Sequence, residues 1–276
     1  MKKTKRIKYL LPQFSRFTIL FVGIIIGIVS QHITQIRAYT FDIIENAQIN
    51  PDNVYANDFS TLPMSSFLIY RSSYSLAYDA QHKNPIWVYE HLTQENLKGE
   101  VERSNLFKED ENIPSHLRAT LLDYKGSGYD RGHQAPAADH RLNKTTMTDT
   151  FYMTNMCPQC PELNRGYWSK LEKHVRDLTK TNKYVDVITG PLYVPYTDDD
   201  GRKYVKYQVI GNNNVAVPTH FFKIINLEDF HGRVLTASYI VPNAPISSYT
   251  PFEQFQTTVE NIEKLAGFVL KNQTNF

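Results

Sequence analysis

The densest group of side chains able to do chemistry is Gly128-Tyr129-Asp130-Arg131-Gly132-His133. A neutral imidazole is the usual general base near pH 7. Arg131 stands two residues before His133, and like-charge repulsion favours the uncharged ring. On an extended segment residues two apart share a face, so both side chains can address one phosphate. Gly132 between them permits close approach of backbone or ligand. A lone histidine is more often structural than reactive, so this run decides nothing by itself.

A second group lies downstream. Asn164, Trp168 and Glu172 are spaced four apart at the start of an expected helix, which places them on one stripe within about 80° of arc. An amide oxygen suits a hard, hydrated cation such as Mg²⁺, and Glu172 could orient that cation's waters. The plainer reading of Asn164 is a helix cap. Residue types alone leave both readings open.

These groups need elements to carry them. Phe67–Tyr70, Tyr74–Asp79 and Ile86–Leu92 read as strands, the last two joined by a turn-rich hairpin over 80–85. Residues 93–128 form a long polar loop, of the kind that usually serves function. After His133, a strand is expected over Thr150–Asn155 and a helix over Glu162–Lys180, where Leu163, Tyr167, Leu171, Val175 and Leu178 recur at helical spacing. Strand, strand, helix is a unit small enough to set His133 opposite Asn164. Tyr184–Thr189 is a further strand, Lys203–Ile210 pairs with Val215–Asn226 across an Asn-rich turn, and Arg233–Val241 is the last. Thr250-Pro251-Phe252-Glu253 starts a final helix, buried through Phe252, Phe255, Val259 and Ile262. The class is α+β, a mostly antiparallel sheet with few helices.

Charge divides the chain. The first 41 residues hold seven Lys or Arg and no acid, and removing them from the net +2 leaves −5 for the rest. The body is not a basic protein, so contact with nucleic acid requires a local cationic patch. Phe17–Ser30 is apolar and uncharged. It fits the length of a signal h-region and is short of the roughly 20 residues of a bilayer span. Residues 1–45 are therefore read as a targeting or membrane-anchor leader and 46–276 as one domain. A secretory signal and a mitochondrial presequence with a short inner-membrane anchor both remain open. Cys157 and Cys160 are the only cysteines, too few for a disulfide framework; they are read as packing residues, with a C-x-x-C redox site as the rival.

Asp130-Arg131-Gly132-His133-Gln134-Ala135-Pro136 resembles the signature of the DNA/RNA non-specific endonucleases, whose site is a ββα-metal finger. The resemblance continues through Thr150–Asn155, Pro158-Gln159, Leu163-Asn164, Trp168, Leu171-Glu172 and Thr189–Leu192. Arg103-Ser104-Asn105, Asp123–Tyr129, Tyr204–Gly211 and Asn214–Lys223 resemble one branch in particular, so the match spans roughly 65–270. It implies cleavage of double- and single-stranded DNA and of RNA to 5′-phosphate and 3′-hydroxyl ends. It further implies His133 as base and one Mg²⁺, replaceable by Mn²⁺, on Asn164. Glu172 would order the metal's waters, and Arg103 and Arg131 would grip phosphate. Asp130, Asn155 and Gln159 are further candidates. A homodimer and a mitochondrial location, in the intermembrane space or at the inner membrane, also follow from the resemblance.

Overall fold

The computed structural model describes residues 66–270. The expected leader and its apolar stretch lie outside the described residues. The centre is a six-stranded sheet in which every neighbouring pair is antiparallel. Its order is β1 (Ser66–Tyr70), β2 (Tyr74–Asp79), β3 (Asn84–Leu92), β6 (Asn182–Leu192), β11 (His220–Asp229) and β12 (Val234–Pro242). The α+β class stands.

Strand β11 is buried on both faces, which is why it reads as an apolar run rather than an alternation. Phe221 and Ile225 face the cluster of Leu163, Tyr167, Trp168, Leu171 and Val175, carried by the helix that follows Cys160. Phe222 and Ile224 face the other way, against Ile262 of the C-terminal helix. Each such side chain contributes roughly 1.5–3 kcal/mol on burial. The sheet is thus a wall with one helical layer on each side.

A separate two-stranded ribbon carries the reactive run. Strand β4 (Asp130–His133) pairs antiparallel with β5 (Met156–Gln159), Gly132 opposite Cys157 and His133 opposite Met156. The second strand was expected at Thr150–Asn155, six residues too early. Those residues instead make a turn and a 3-10 segment, Met153–Asn155. Asn155 explains the shift: its amide donates to the carbonyls of Ala135 and Thr150 and accepts from the Ala135 N–H. A side chain that satisfies three backbone groups offers the chain an alternative to a ladder.

The long loop holds a short helix, α1 (Leu121–Tyr124), and a second, α2 (Lys144–Asp149), precedes the ribbon's return. The expected helix over 162–180 begins as a π turn, Leu163–Trp168, and continues as α3 (Ser169–Leu178). The expected hairpin partner is broken at Pro218, which has no N–H to give. Only β9 (Val209–Ile210) and β10 (Val215–Ala216) pair, before β11 starts at His220. At its other end, β8 (Lys203–Tyr204) pairs with β7 (Tyr196–Thr197). The last helix also splits. A 3-10 turn covers Phe252–Phe255, and α4 (Val259–Ala266) starts afresh from a Thr258 cap. Between them Thr257 is drawn onto the sheet by two hydrogen bonds with Ser238.

Candidate active site

The ribbon and the helix are stitched together at two places. At one, Asp130 accepts from Asn164 Nδ2 at 2.8 Å and takes a two-pronged bond from Arg165 at 2.8 and 2.6 Å. At the other, Asp139, in the turn after β4, accepts from Arg176 of α3 at 2.7 Å. His133 lies on the segment between the two clamps. The ribbon that carries His133 is thus tied to the helical segment that carries Asn164 through Asp130, three residues before the histidine.

His133 is 7 % exposed. Its ring is set edge-on to Phe151 at 5.0 Å and tilted on Phe107 at 5.7 Å. Nε2 is enclosed with no hydrogen-bond partner. Burial first, then the charges of Arg103, His140 and Arg131, push its pKa down to about 3. The imidazole is neutral at working pH. Asn155 braces it from behind, since its carbonyl accepts from the Gln134 N–H at 3.0 Å, one residue past the histidine.

The aromatic pair also carries the cations. The Arg131 guanidinium sits 4.2 Å from the Phe107 ring and that of Arg103 5.3 Å from Phe151. Neither forms an ion pair among the described residues. This is the local positive patch that an acidic body requires. Arg103 and Arg131 thus share with His133 one aromatic shelf, which the spacing in the sequence does not reveal.

Asn164 is half-exposed inside the π turn and is not its cap, which is Glu162. The capping alternative falls. Because Asp130 holds Nδ2, the amide is oriented with Oδ1 free, and no donor reaches that oxygen among the described residues. A free amide oxygen in a solvent-accessible position is a hard donor that fits a hydrated divalent cation. No trio of His, Cys, Asp or Glu arranged to hold a metal occurs among the described residues. A cation here would therefore keep most of its water.

The predicted stripe holds only in part. Trp168 turns into the core against Phe221, because the wider π turn shifts the helix face. Glu172 stays at the margin, and its carboxyl is pushed up to about 8, chiefly by burial and against the pull of Lys223. Gln159 is fully buried opposite Asp130, both its amide atoms without partners. Residues that sequence reasoning missed are Arg165, Asp139 and the buried pair His140–Glu90, bonded at 2.9 Å. A second histidine seven residues past His133 was the available signal.

Comparison with known proteins gives the decisive observation. The family model for DNA/RNA non-specific endonuclease matches residues 50–276. The chain is 48% identical over 209 residues to mitochondrial endonuclease G of Bos taurus, covering 75% of this chain and 70% of that one. It is 47% identical to the Homo sapiens protein over the same shares. A crystal structure of an EndoG/EndoGI complex superposes with a TM-score of 0.74 at 46% identity, over 78% of this chain and 89% of that one. The chain belongs to the DNA/RNA non-specific endonuclease family.

This nuclease is endonuclease G-like, a hydrolase acting on phosphodiester bonds, in a metal-dependent family whose near relatives are mitochondrial nucleases. The two cysteines of the nuclease are unpaired. Cys157 is fully buried and its thiol pushed well up, opposite to what thiol exchange needs.

Two outcomes can be stated for the ribbon and its histidine. A Cβ at Gly132 would stand 2.2 Å from Gln159 Oε1 and 2.6 Å from its Cβ. Gly132→Ala is expected to destabilise the nuclease by about 1–3 kcal/mol through this overlap, read as a shift in urea midpoint. His133 gives a pH signature. Its folded pKa lies below its unfolded one, so between pH 6.5 and 3 the unfolded chain binds a proton the folded protein refuses. Stability therefore falls as pH falls through that window, by up to about 1.4 kcal/mol per unit from this group. His133→Ala should flatten the slope; a slope unchanged in the variant would contradict the buried neutral ring.

Proposed function

We propose that the protein hydrolyses double- and single-stranded DNA and RNA without sequence preference, leaving 5′-phosphate and 3′-hydroxyl ends. The reading rests above all on a buried neutral His133 flanked by two unpaired arginines across a clamped ribbon from a free Asn164 oxygen. His133 takes the proton from water as it attacks phosphorus in line with the leaving oxygen. With Nε2 enclosed, the nitrogen that meets water is Nδ1. Arg103 and Arg131 hold phosphate oxygens through planar guanidinium groups. Asp130 fixes the Asn164 amide, and Asn155 fixes the backbone behind His133.

Asn164 Oδ1 would hold one Mg²⁺, or Mn²⁺ in its place, with Glu172 accepting from the ion's waters. Such an ion supplies charge neutralisation at the phosphate and leaving oxygen when bound. Gln159 supports the Asp130 end of the ribbon. Every one of these groups addresses phosphate or water, and phosphate contacts carry no base information. Indifference to sequence follows.

Residues 1–45 act as a leader ahead of a nuclease domain at 46–276. The names of the mitochondrial relatives support delivery to the intermembrane space or inner membrane. The 14-residue apolar stretch at 17–30 fits a secretory signal equally, and imaging of a tagged leader separates the two. The protein acts as a homodimer, which light scattering of the purified chain tests. An inhibitor protein, of the kind seen with the solved relative, is a further candidate partner.

Incubation of the purified protein with supercoiled plasmid and with RNA tests the activity. Both should be degraded with Mg²⁺ and spared with EDTA, and end-labelling should find 5′-phosphates. Cleavage undiminished by EDTA, or 3′-phosphate ends, would overturn the mechanism.

A further inference from the structure

The apolar surface under the Arg131 guanidinium does not end at the shelf. Phe107, Leu121 and Tyr129 are partly buried together on one cluster, which includes Ala119, Tyr124, Met153 and Met156. Leu121 and Tyr129 also line a cleft of about 330 Å³ between α1 and the start of β4. Leu122, Lys125, Asp130 and Arg131 line it with them. Arg131 therefore belongs both to the phosphate shelf and to this cleft.

The walls of the cleft are held in place. Asp123 of α1 accepts from the Thr120 N–H at 2.7 Å and from the Asn213 amide at 2.9 Å. The second bond pins α1 to the β9–β10 turn. The Tyr129 hydroxyl donates to Gln208 at 3.0 Å. Both oxygens of Asp130 are taken by Asn164 and Arg165. Lys125 forms no ion pair among the described residues. Leu122 is 75 % exposed. A single exposed leucine is ordinary on a protein surface; this one stands over a preformed cleft beside a cation.

We propose that this cleft is a base subsite, taking one unstacked nucleobase of the strand whose phosphate lies on Arg131. This rests on the reading of Arg131 as a phosphate grip. Leucine and tyrosine walls suit the flat apolar faces of a base, and the free Lys125 ammonium suits the phosphate of the same nucleotide. The volume lies at the lower end of the roughly 300–1,000 Å³ that small ligands occupy. Every base has a π-face, so contact of this kind tolerates any sequence. With the Asp130 carboxylate and the Tyr129 hydroxyl already bonded, the walls offer contact surface rather than a reading of base edges. A paired base must first leave its stack to enter, which costs free energy. The cleft thus favours single-stranded or locally opened nucleic acid over intact duplex.

The test measures binding by fluorescence anisotropy with the full-length protein in EDTA, so that nothing is cut. Three labelled probes are compared: a thymidine oligonucleotide, an abasic strand of equal length whose sugars carry no base, and a matched duplex. The quantity read is the ratio of thymidine-strand to abasic-strand affinity. It should fall about tenfold in Tyr129→Ala and at least about threefold in Leu122→Ser. The ratio of single-strand to duplex affinity should fall with it. Should Tyr129→Ala not fold, Leu122→Ser, at an exposed position, carries the test alone. Ratios that stay fixed, whether both affinities fall together or neither falls, overturn the proposal. The underlying reading fails separately: abasic-strand affinity undiminished in Arg131→Ala would take the phosphate off Arg131 while leaving the ratios to be judged on their own.

Discussion

Replacing His133 with alanine will lower plasmid cleavage by about 10³-fold, within the range that a positioned general base supplies. No neighbour can take its place. Among the groups whose charge reaches it, Arg103 and Arg131 are permanent cations, and His140 is fixed by Glu90 on one nitrogen and Ser73 on the other. The variant should bind DNA with affinity near the original, because the arginines rest on Phe107 and Phe151 and not on the imidazole. The loss then falls on kcat and not on KM. Activity within tenfold of the unsubstituted protein would mean that some other group deprotonates the water.

The pH dependence sharpens this expectation. In the free protein His133 is held at about 3, by burial first and then by cations that include both arginines. A base so weak is poorly matched to neutral pH. A phosphodiester bound on Arg103 and Arg131 brings negative charge beside the ring and offsets those same cations, so substrate raises the affinity of His133 for a proton. The acid limb of kcat, which reports the complex, should accordingly lie at higher pH than that of kcat/KM, which reports the free protein. The comparison is made in the Glu172→Gln background, which removes the raised carboxyl of that residue, while the raised carboxyl of Asp139 is common to both profiles. Coincident limbs would show that the arginines do not carry the phosphate.

How much of this was legible in the sequence follows from which interactions are local. The π turn is invisible to periodicity because Leu163, Tyr167, Leu171 and Val175 keep helical spacing through one wider turn. The early placement of the ribbon's second strand has a similar cause. Thr150–Asn155 is rich in β-branched and aromatic residues, but Asn155 is spent on the backbone of Ala135, a contact 20 residues away in sequence. His133, Arg131 and Asn164 could be singled out because their chemistry is intrinsic to residue type. Asp139, Glu90 and Lys223 could not, since their meaning arises when three strands and a helix converge. One trace was present: a lysine inside His220-Phe221-Phe222-Lys223-Ile224-Ile225, where a strand buried on both faces should hold no charge.

Asn164→Ala will cost several kcal/mol of transition-state stabilisation, roughly 10²–10³-fold in turnover, if its amide is the one protein ligand of the cation. Its half-exposed position in the π turn keeps the substitution out of the core, since Leu163, Tyr167 and Trp168 supply the burial of that segment. Calorimetric titration of Mn²⁺ into the DNA-free protein separates binding from chemistry, and the variant should bind at least about tenfold more weakly. Asn164→Asp is no rescue. It sets a second carboxylate against Asp130, where Nδ2 now donates at 2.8 Å, and one of the two must then keep a proton. Asp130→Ala tests the orientation itself. With its anchor gone the amide is free to rotate, and Mn²⁺ affinity should fall by less than in Asn164→Ala though in the same direction. Unchanged Mn²⁺ binding in Asn164→Ala would remove the ligand, and with it the reason for Asp130 to hold Nδ2.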